Sequence, residues 1–160
     1  MLAFVRAVVY GTLFVGLLLV FIPREILELT GVRRPLYLGE LQVFGIVLVA
    51  AGAALALWCI VTFAVVGRGT PAPFDPPRKL VVAGPYRWVR NPMYLGAVGV
   101  VLGTASYYQS LALLAFAAAF FGASYLFVVF YEEPTLMRVF GAQYADYYHA
   151  VPRWVPRWRS

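Results

Sequence analysis

Charge is what this chain has least of. Asp, Glu, Lys and Arg together make 12% of its 160 residues, about half of what soluble domains carry. A water-soluble protein of this length cannot hide the 62% of hydrophobic residues found here, so the composition excludes an ordinary soluble domain and points to a polytopic membrane protein. Cysteine occurs once, as Cys59 inside an apolar run, which rules out an intrachain disulfide and a cysteine-built metal or redox centre. Histidine also occurs once, as His149. The net charge of +6 comes mostly from arginines beside apolar runs. With no soluble basic face to carry it, nucleic acid is a poor partner and anionic lipid headgroups are a good one.

Against that background stand four apolar runs, at residues 3–22, 41–66, 93–107 and 111–131. A membrane-spanning helix needs about 20 apolar residues, which the first, second and fourth supply. The third rises only about 22 Å as a helix, so it completes a crossing only if its N-terminal end starts inside the protein or beside a water-filled cavity. The first run, entered through Arg6, is followed by Pro23, Arg24 and Glu25 rather than a small-residue cleavage site, and reads as a retained span rather than a signal peptide. Residues 23–40 mix acids, arginines and leucines in the manner of an interfacial connection. The stretch GRGTPAPFDPP at 67–77 is a loop, because its prolines and glycines break any regular element. The expected architecture is all-α, a single membrane domain over residues 1–160 with about four transmembrane helices and a C-terminal amphipathic helical cap.

Positive charge sets the expected orientation. Arg68, Arg78, Lys79, Arg87 and Arg90 lie between the second and third runs, Arg138, Arg153, Arg157 and Arg159 follow the fourth, and residues 106–110 carry none. The positive-inside rule then puts the middle loop and both termini in the cytoplasm, with Arg24, Arg33 and Arg34 tempered by neighbouring acids. Gly96, Gly99 and Gly103 in the third run, beside Ala97 and Ala105, read as a helix-packing face.

Chemistry gathers in two places. The first is GPYRWVRNPMYLG at residues 84–96. Asn91 and Pro92 suit an N-cap and a first helical turn, so free backbone N–H groups and a partial positive charge face the preceding loop. Arg87 and Arg90 add forked donors for a carboxylate or phosphate, and Tyr86, Trp88 and Tyr94 offer faces for a planar ring or a cation. An interfacial aromatic belt with snorkelling arginines explains this stretch slightly better when it is taken alone. The second place tips the balance. Glu132 and Glu133 follow the fourth run directly, and ionisable groups at membrane depth are costly enough to imply a function. On a helix, neighbours point about 100° apart, which lets one carboxylate hold a ligand and the other a protein arginine. Beyond them Leu136, Val139 and Phe140 form an apolar stripe, Gly141 a stop, and Tyr144, Tyr147 and Tyr148 a second short helix ahead of His149, the pattern of a cap over the cytoplasmic mouth.

The two motifs, GPYRWVRNPMYLG and EEPTLMRVFGAQYADYYHAVPRWVP at 132–156, resemble the C-terminal half of the isoprenylcysteine carboxyl methyltransferase family, which is related to the phospholipid methyltransferases. The resemblance covers about residues 71–156. These families are integral membrane enzymes that use S-adenosylmethionine. The resemblance implies cofactor contacts at Arg78, Lys79, Leu80 and Val81, at Tyr86, at Asn91, Pro92, Met93 and Tyr94, and at Glu132. Asn91 takes the place of a histidine of the prenylcysteine enzymes. Val128, four residues before Glu132, stands where they carry an arginine for the substrate carboxylate, and the acceptor is left open.

The expected activity is therefore methyl transfer from S-adenosylmethionine to a lipophilic acceptor from the bilayer, a carboxylate, amine or hydroxyl of a lipid or prenyl-like molecule. Arg87 or Arg90 would pair with the methionyl carboxylate or the acceptor. Glu133 or His149 would serve as base where the acceptor has a proton to lose. No metal and no obligatory protein partner enters this expectation. Two alternatives remain open. One is a membrane reductase of related architecture, whose nicotinamide cofactor would place a phosphate on Arg78 and Lys79. The other is a four-span transporter or accessory protein coupling protons or cations through Glu132 and Glu133, although those two stand at the end of a run rather than its middle.

Overall fold

A computed structural model describes residues 16–67 and 79–156 of the chain and is helical throughout, with no strand among the described residues. Most of the first apolar run, the 68–78 stretch with Arg78, and residues 157–160 lie outside the described residues. The described chain opens with a π-helical turn, Gly16–Phe21, that leads into α1, Ile22–Thr30. Then come α2, Glu40–Thr62, with a π-helical extension Phe63–Gly67, a 3-10 turn Gly84–Arg87, α3, Pro92–Tyr108, and α4, Leu111–Phe127. Another π-helical turn, Val128–Glu132, joins α4 to α5, Glu133–Phe140, and α6 follows at Ala142–Ala150.

Two continuous helical runs are long and apolar enough to cross a membrane, Glu40–Gly67 with 28 residues and Leu111–Phe140 with 30. They enclose the second and fourth apolar runs of the sequence. The third run forms α3 with 17 residues, short of the about 20 that a bilayer asks for. Glu132 and Glu133 do not end the fourth helix, which carries on through α5. Pro134 cannot donate a helical hydrogen bond, and the turn just before it opens to π geometry, as helices do when a donor is missing.

α2 is built inside out relative to a soluble helix. It buries Gln42, Gly45, Gly52, Cys59 and Thr62, while Val47, Leu57 and Val61 stay exposed. Lipid solvates large apolar side chains, so small residues are the ones spent on helix contact. Antiparallel α2 and α3 meet along a glycine seam. A Cβ on Gly52 would stand 2.6 Å from the Gly96 carbonyl oxygen, and one on Gly45 would stand 2.6 Å from that of Gly103. Backbones this close exchange dispersion and Cα–H···O contacts along the seam. The expected packing face is thus present, paired with glycines of α2.

A two-residue connection reverses the chain between α3 and α4. Gln109 adopts the left-handed conformation at φ 50°, and Ser110 Oγ accepts from the Leu113 N–H at 3.3 Å to cap α4. Such a short link makes α3 and α4 antiparallel neighbours. The end of α4 and the two glutamates that follow it therefore return to the N-terminal end of α3.

Candidate functional site

The loop before α3 is docked on the end of α2. Gly84 has φ +56°, and a Cβ there would stand 2.8 Å from Thr62 Oγ1, so glycine is needed for both the backbone angle and the space. Tyr86 packs edge-on against Phe63 with ring centres 5.2 Å apart. It forms a buried cluster with Cys59 and Val81, against which Leu55 and Met93 lie. Tyr86, Val81 and Met93 thus form a packed wall. Trp88 rests edge-on on Trp58, 5.6 Å away, and stays half exposed. Lys79 and Arg87 are exposed, and Leu80 is partly so.

Asn91 stands at the N-cap position of α3 as expected, but its side chain does not cap the helix. Asn91 is buried, makes no capping hydrogen bond and sits at φ −124°, ψ 50°. Its Nδ2 donates instead to the Arg153 carbonyl at 3.3 Å. The returning C-terminal chain competes for the side chain, and Pro92, with no N–H to satisfy, starts the helix without it.

Tyr94, one turn into α3, donates its hydroxyl to Glu132 Oε2 at 3.0 Å. The next residue has different partners. Glu133 Oε1 accepts from Arg153 Nε at 2.7 Å and its Oε2 from Arg153 Nη2 at 2.9 Å, while Arg90 Nη2 stands 3.2 Å from Oε1. Both cations go to Glu133, and among the described residues no Lys or Arg pairs with Glu132. The Arg90 guanidinium also lies over the Tyr148 ring, 3.9 Å from its centre. Its Nε and Nη1 are buried without a hydrogen-bond partner, an arrangement that calls for an acceptor.

Residues 151–154 strap this end of the molecule. The Arg90 N–H donates to the Pro152 carbonyl at 2.9 Å, and Trp154 inserts between α3 and α4. Its ring lies 6.4 Å from Tyr94, 5.1 Å from Phe121 and, stacked, 6.3 Å from Tyr125. From α6, Tyr147 donates to the Tyr86 carbonyl at 2.8 Å, and Tyr144 is fully buried. Burial pushes the Tyr144 hydroxyl up to about 12, with the Glu133 charge adding to it. Burial also holds Tyr86 and Tyr147 above the ordinary phenol range. The hydrogen bonds from Glu133 raise Arg153 further above its already high value. At neutral pH the wall is therefore made of uncharged tyrosines around fixed ionic groups.

The structure brings together Tyr86, Arg90, Asn91, Pro92, Met93, Tyr94, Glu132 and Glu133. Exposed His149, edge-on to Tyr148, shares no hydrogen bond or ion pair with either glutamate among the described residues. Sequence reasoning missed Arg153, Trp154, Tyr125 and Phe121 as members of the site. The one available signal was VPRWVP, an arginine and a tryptophan bracketed by prolines after a tyrosine run. Chemically, the arrangement presents a carboxylate with only a neutral partner, aromatic faces beside it and an arginine with spare donors. It suits a ligand that carries a positive centre, a planar ring and an anionic group.

Residues 41–143 match the family described as phospholipid methyltransferase. The match starts at the head of α2, well before residue 71, and ends ahead of the 151–154 strap. No curated protein and no solved structure shows significant similarity to the chain. The reductase and transporter alternatives gain no support from the comparison, whereas the match and the two long apolar helices agree on a membrane protein. Because the match spans more than half of its length, the chain belongs to the phospholipid methyltransferase family.

Proposed function

We propose that the protein is an integral membrane methyltransferase that uses S-adenosylmethionine and acts on a lipophilic acceptor. The observation that carries this reading is the division of labour between the adjacent glutamates: Glu133 is neutralised by Arg90 and Arg153, and Glu132 is left to Tyr94 beside the Trp154 ring. A carboxylate in that setting is poised for a cationic or hydroxyl-bearing ligand.

S-adenosylmethionine, when bound, supplies an electrophilic methyl group on a sulfonium. Glu132 and Tyr94 would hold its polar and positive parts, the spare donors of Arg90 its carboxylate, and Asn91, Pro92 and Met93 the floor. Tyr86, Leu80 and Val81 would form the side wall, with Lys79 at the entrance and Arg87 facing the acceptor's headgroup. Glu133, gripped by two guanidinium groups, serves to fix Arg90 and the strap rather than to take a proton. In-line transfer asks little of the protein beyond positioning and exclusion of water.

The same reading assigns four crossings, with the first apolar run and α3 joining α2 and α4. The short α3 starts under α5 and α6, which form a cytoplasmic cap, and the acceptor enters laterally between helices.

Calorimetric titration of the purified protein in lipid nanodiscs tests this. S-adenosylmethionine binds the wild type, and Glu132→Ala and Tyr94→Ala each weaken it at least tenfold, while a reduced nicotinamide dinucleotide gives no heat. Absence of binding to folded wild type, or wild-type affinity in both variants, sinks the proposal.

A further inference from the structure

α3 starts at the candidate site and ends at Tyr108, about 24 Å away along its axis. At that far end an open groove of about 370 Å³ lies between α3 and the first helical segment. Leu19, Leu27 and Tyr108 give it apolar walls, and Arg24, Glu28 and Arg34 line it with charge. Arg24 Nε donates to Glu28 Oε1 at 2.7 Å, so the one carboxylate in the lining is engaged by one edge of one arginine. Within the lining, two guanidinium groups face one carboxylate, which leaves Arg34 and the free edge of Arg24 for an anion, with Glu25 beside Arg24 outside the lining. Next to the groove, Leu29, Leu36, Tyr37 and Leu38 are 84%, 92%, 85% and 66% exposed. Four large apolar side chains this bare are unfavourable in water, but they anchor a segment that lies in the headgroup boundary of a bilayer.

We infer that this groove is a binding site for an anionic phospholipid, with the phosphate on Arg24 and Arg34 and the acyl chains along Leu19, Leu27 and Tyr108. The walls and rim together match an amphiphile whose charge and hydrocarbon are joined, and the boundary-seeking segment beside them puts the groove at headgroup depth. Its distance from Glu132 assigns it to the opposite leaflet, so its occupant is a resident lipid rather than the methyl acceptor. The leaflet rests on the four crossings proposed above, whereas the lipid site itself does not depend on the cofactor reading.

Native mass spectrometry of the full-length protein, released from detergent after incubation with one candidate at a time, tests it. Dioleoyl-phosphatidylglycerol gives a one-to-one adduct with the wild type. Dioleoylglycerol, which has the chains without the phosphate, and inorganic phosphate, which has the charge without the chains, do not. Arg34→Gln and Arg24→Gln each lower adduct occupancy about tenfold, with the melting temperature unchanged. Arg33→Gln, one position from the lining, leaves occupancy as in wild type. Equal retention of dioleoylglycerol, an inorganic phosphate adduct of similar survival, or equal losses in R33Q and R34Q would overturn the inference. So would a dimer that excludes lipid.

Discussion

Arg153 grips Glu133 with a forked pair of hydrogen bonds, Nε to Oε1 at 2.7 Å and Nη2 to Oε2 at 2.9 Å, across twenty residues of chain. The contact ties the C-terminal strap to the end of the fourth apolar helix and frees Glu132 from any need to balance it.

Removing one partner of a buried pair costs more than the pair itself contributes, because the other charge is stranded. Arg153 is about a quarter exposed and Arg90 remains beside Glu133, so Arg153→Ala is expected to destabilise by about 2 kcal/mol, a drop of about 4–8 °C in melting temperature. Arg153→Lys recovers less than half of this, since an ammonium cannot make the fork. Thermal unfolding in detergent micelles reads both.

The Tyr94 hydroxyl can be deleted without disturbing its ring. Tyr94→Phe keeps the contact with Trp154 and removes only the bond to Glu132. Losing this bond within the protein costs about 1 kcal/mol of stability, a drop of about 2–4 °C in melting temperature, while S-adenosylmethionine affinity is expected to fall about tenfold because Glu132 loses the donor that orients it. Calorimetry beside a melting curve separates this from misfolding.

The glycine seam makes a graded prediction. A Cβ at Gly52 or Gly103 meets backbone oxygen at 2.6 Å, whereas one at Gly99 meets Gly52 Cα at an ordinary 3.5 Å. Gly52→Ala and Gly103→Ala are expected to cost about 1–3 kcal/mol by forcing α2 and α3 apart. Gly99→Ala is expected to be neutral within about 0.5 kcal/mol. Equal melting temperatures for all three would show that the helices do not meet along this line.

Alkaline stability follows from the tyrosine cluster. The folded protein holds the Tyr144 proton up to about 12, while an unfolded tyrosine loses it near about 10. The unfolded chain therefore binds fewer protons between these values, and stability falls as pH rises. The contribution is fully present below about pH 10 and lost by about pH 12, with Tyr86 and Tyr147 acting in the same direction. Tyr144→Phe is expected to flatten the decline, measured as melting temperature against pH from 9 upward.

Composition and spacing alone determined the membrane class, the second and fourth apolar helices and the extent of α3 to within a residue, and marked the loop of 84–91 as dense in polar and aromatic groups. Each of these follows from local properties, namely hydrophobic run length, proline and glycine as breakers, and the cost of placing a carboxylate after an apolar run. What only the tertiary structure decided were the partners. Asn91 stands at the N-cap, yet its side chain makes no cap and the Arg153 carbonyl, 62 residues away in the chain, takes its amide. The two glutamates are chemically identical in sequence. They part ways because a π-helical turn and Pro134 aim one at Tyr94 and the other at two arginines. The Tyr94–Glu132 bond depends on how α3 and α4 pack as a hairpin, and the Asn91 bond on the path of the strap; both are long-range meetings that no local pattern records.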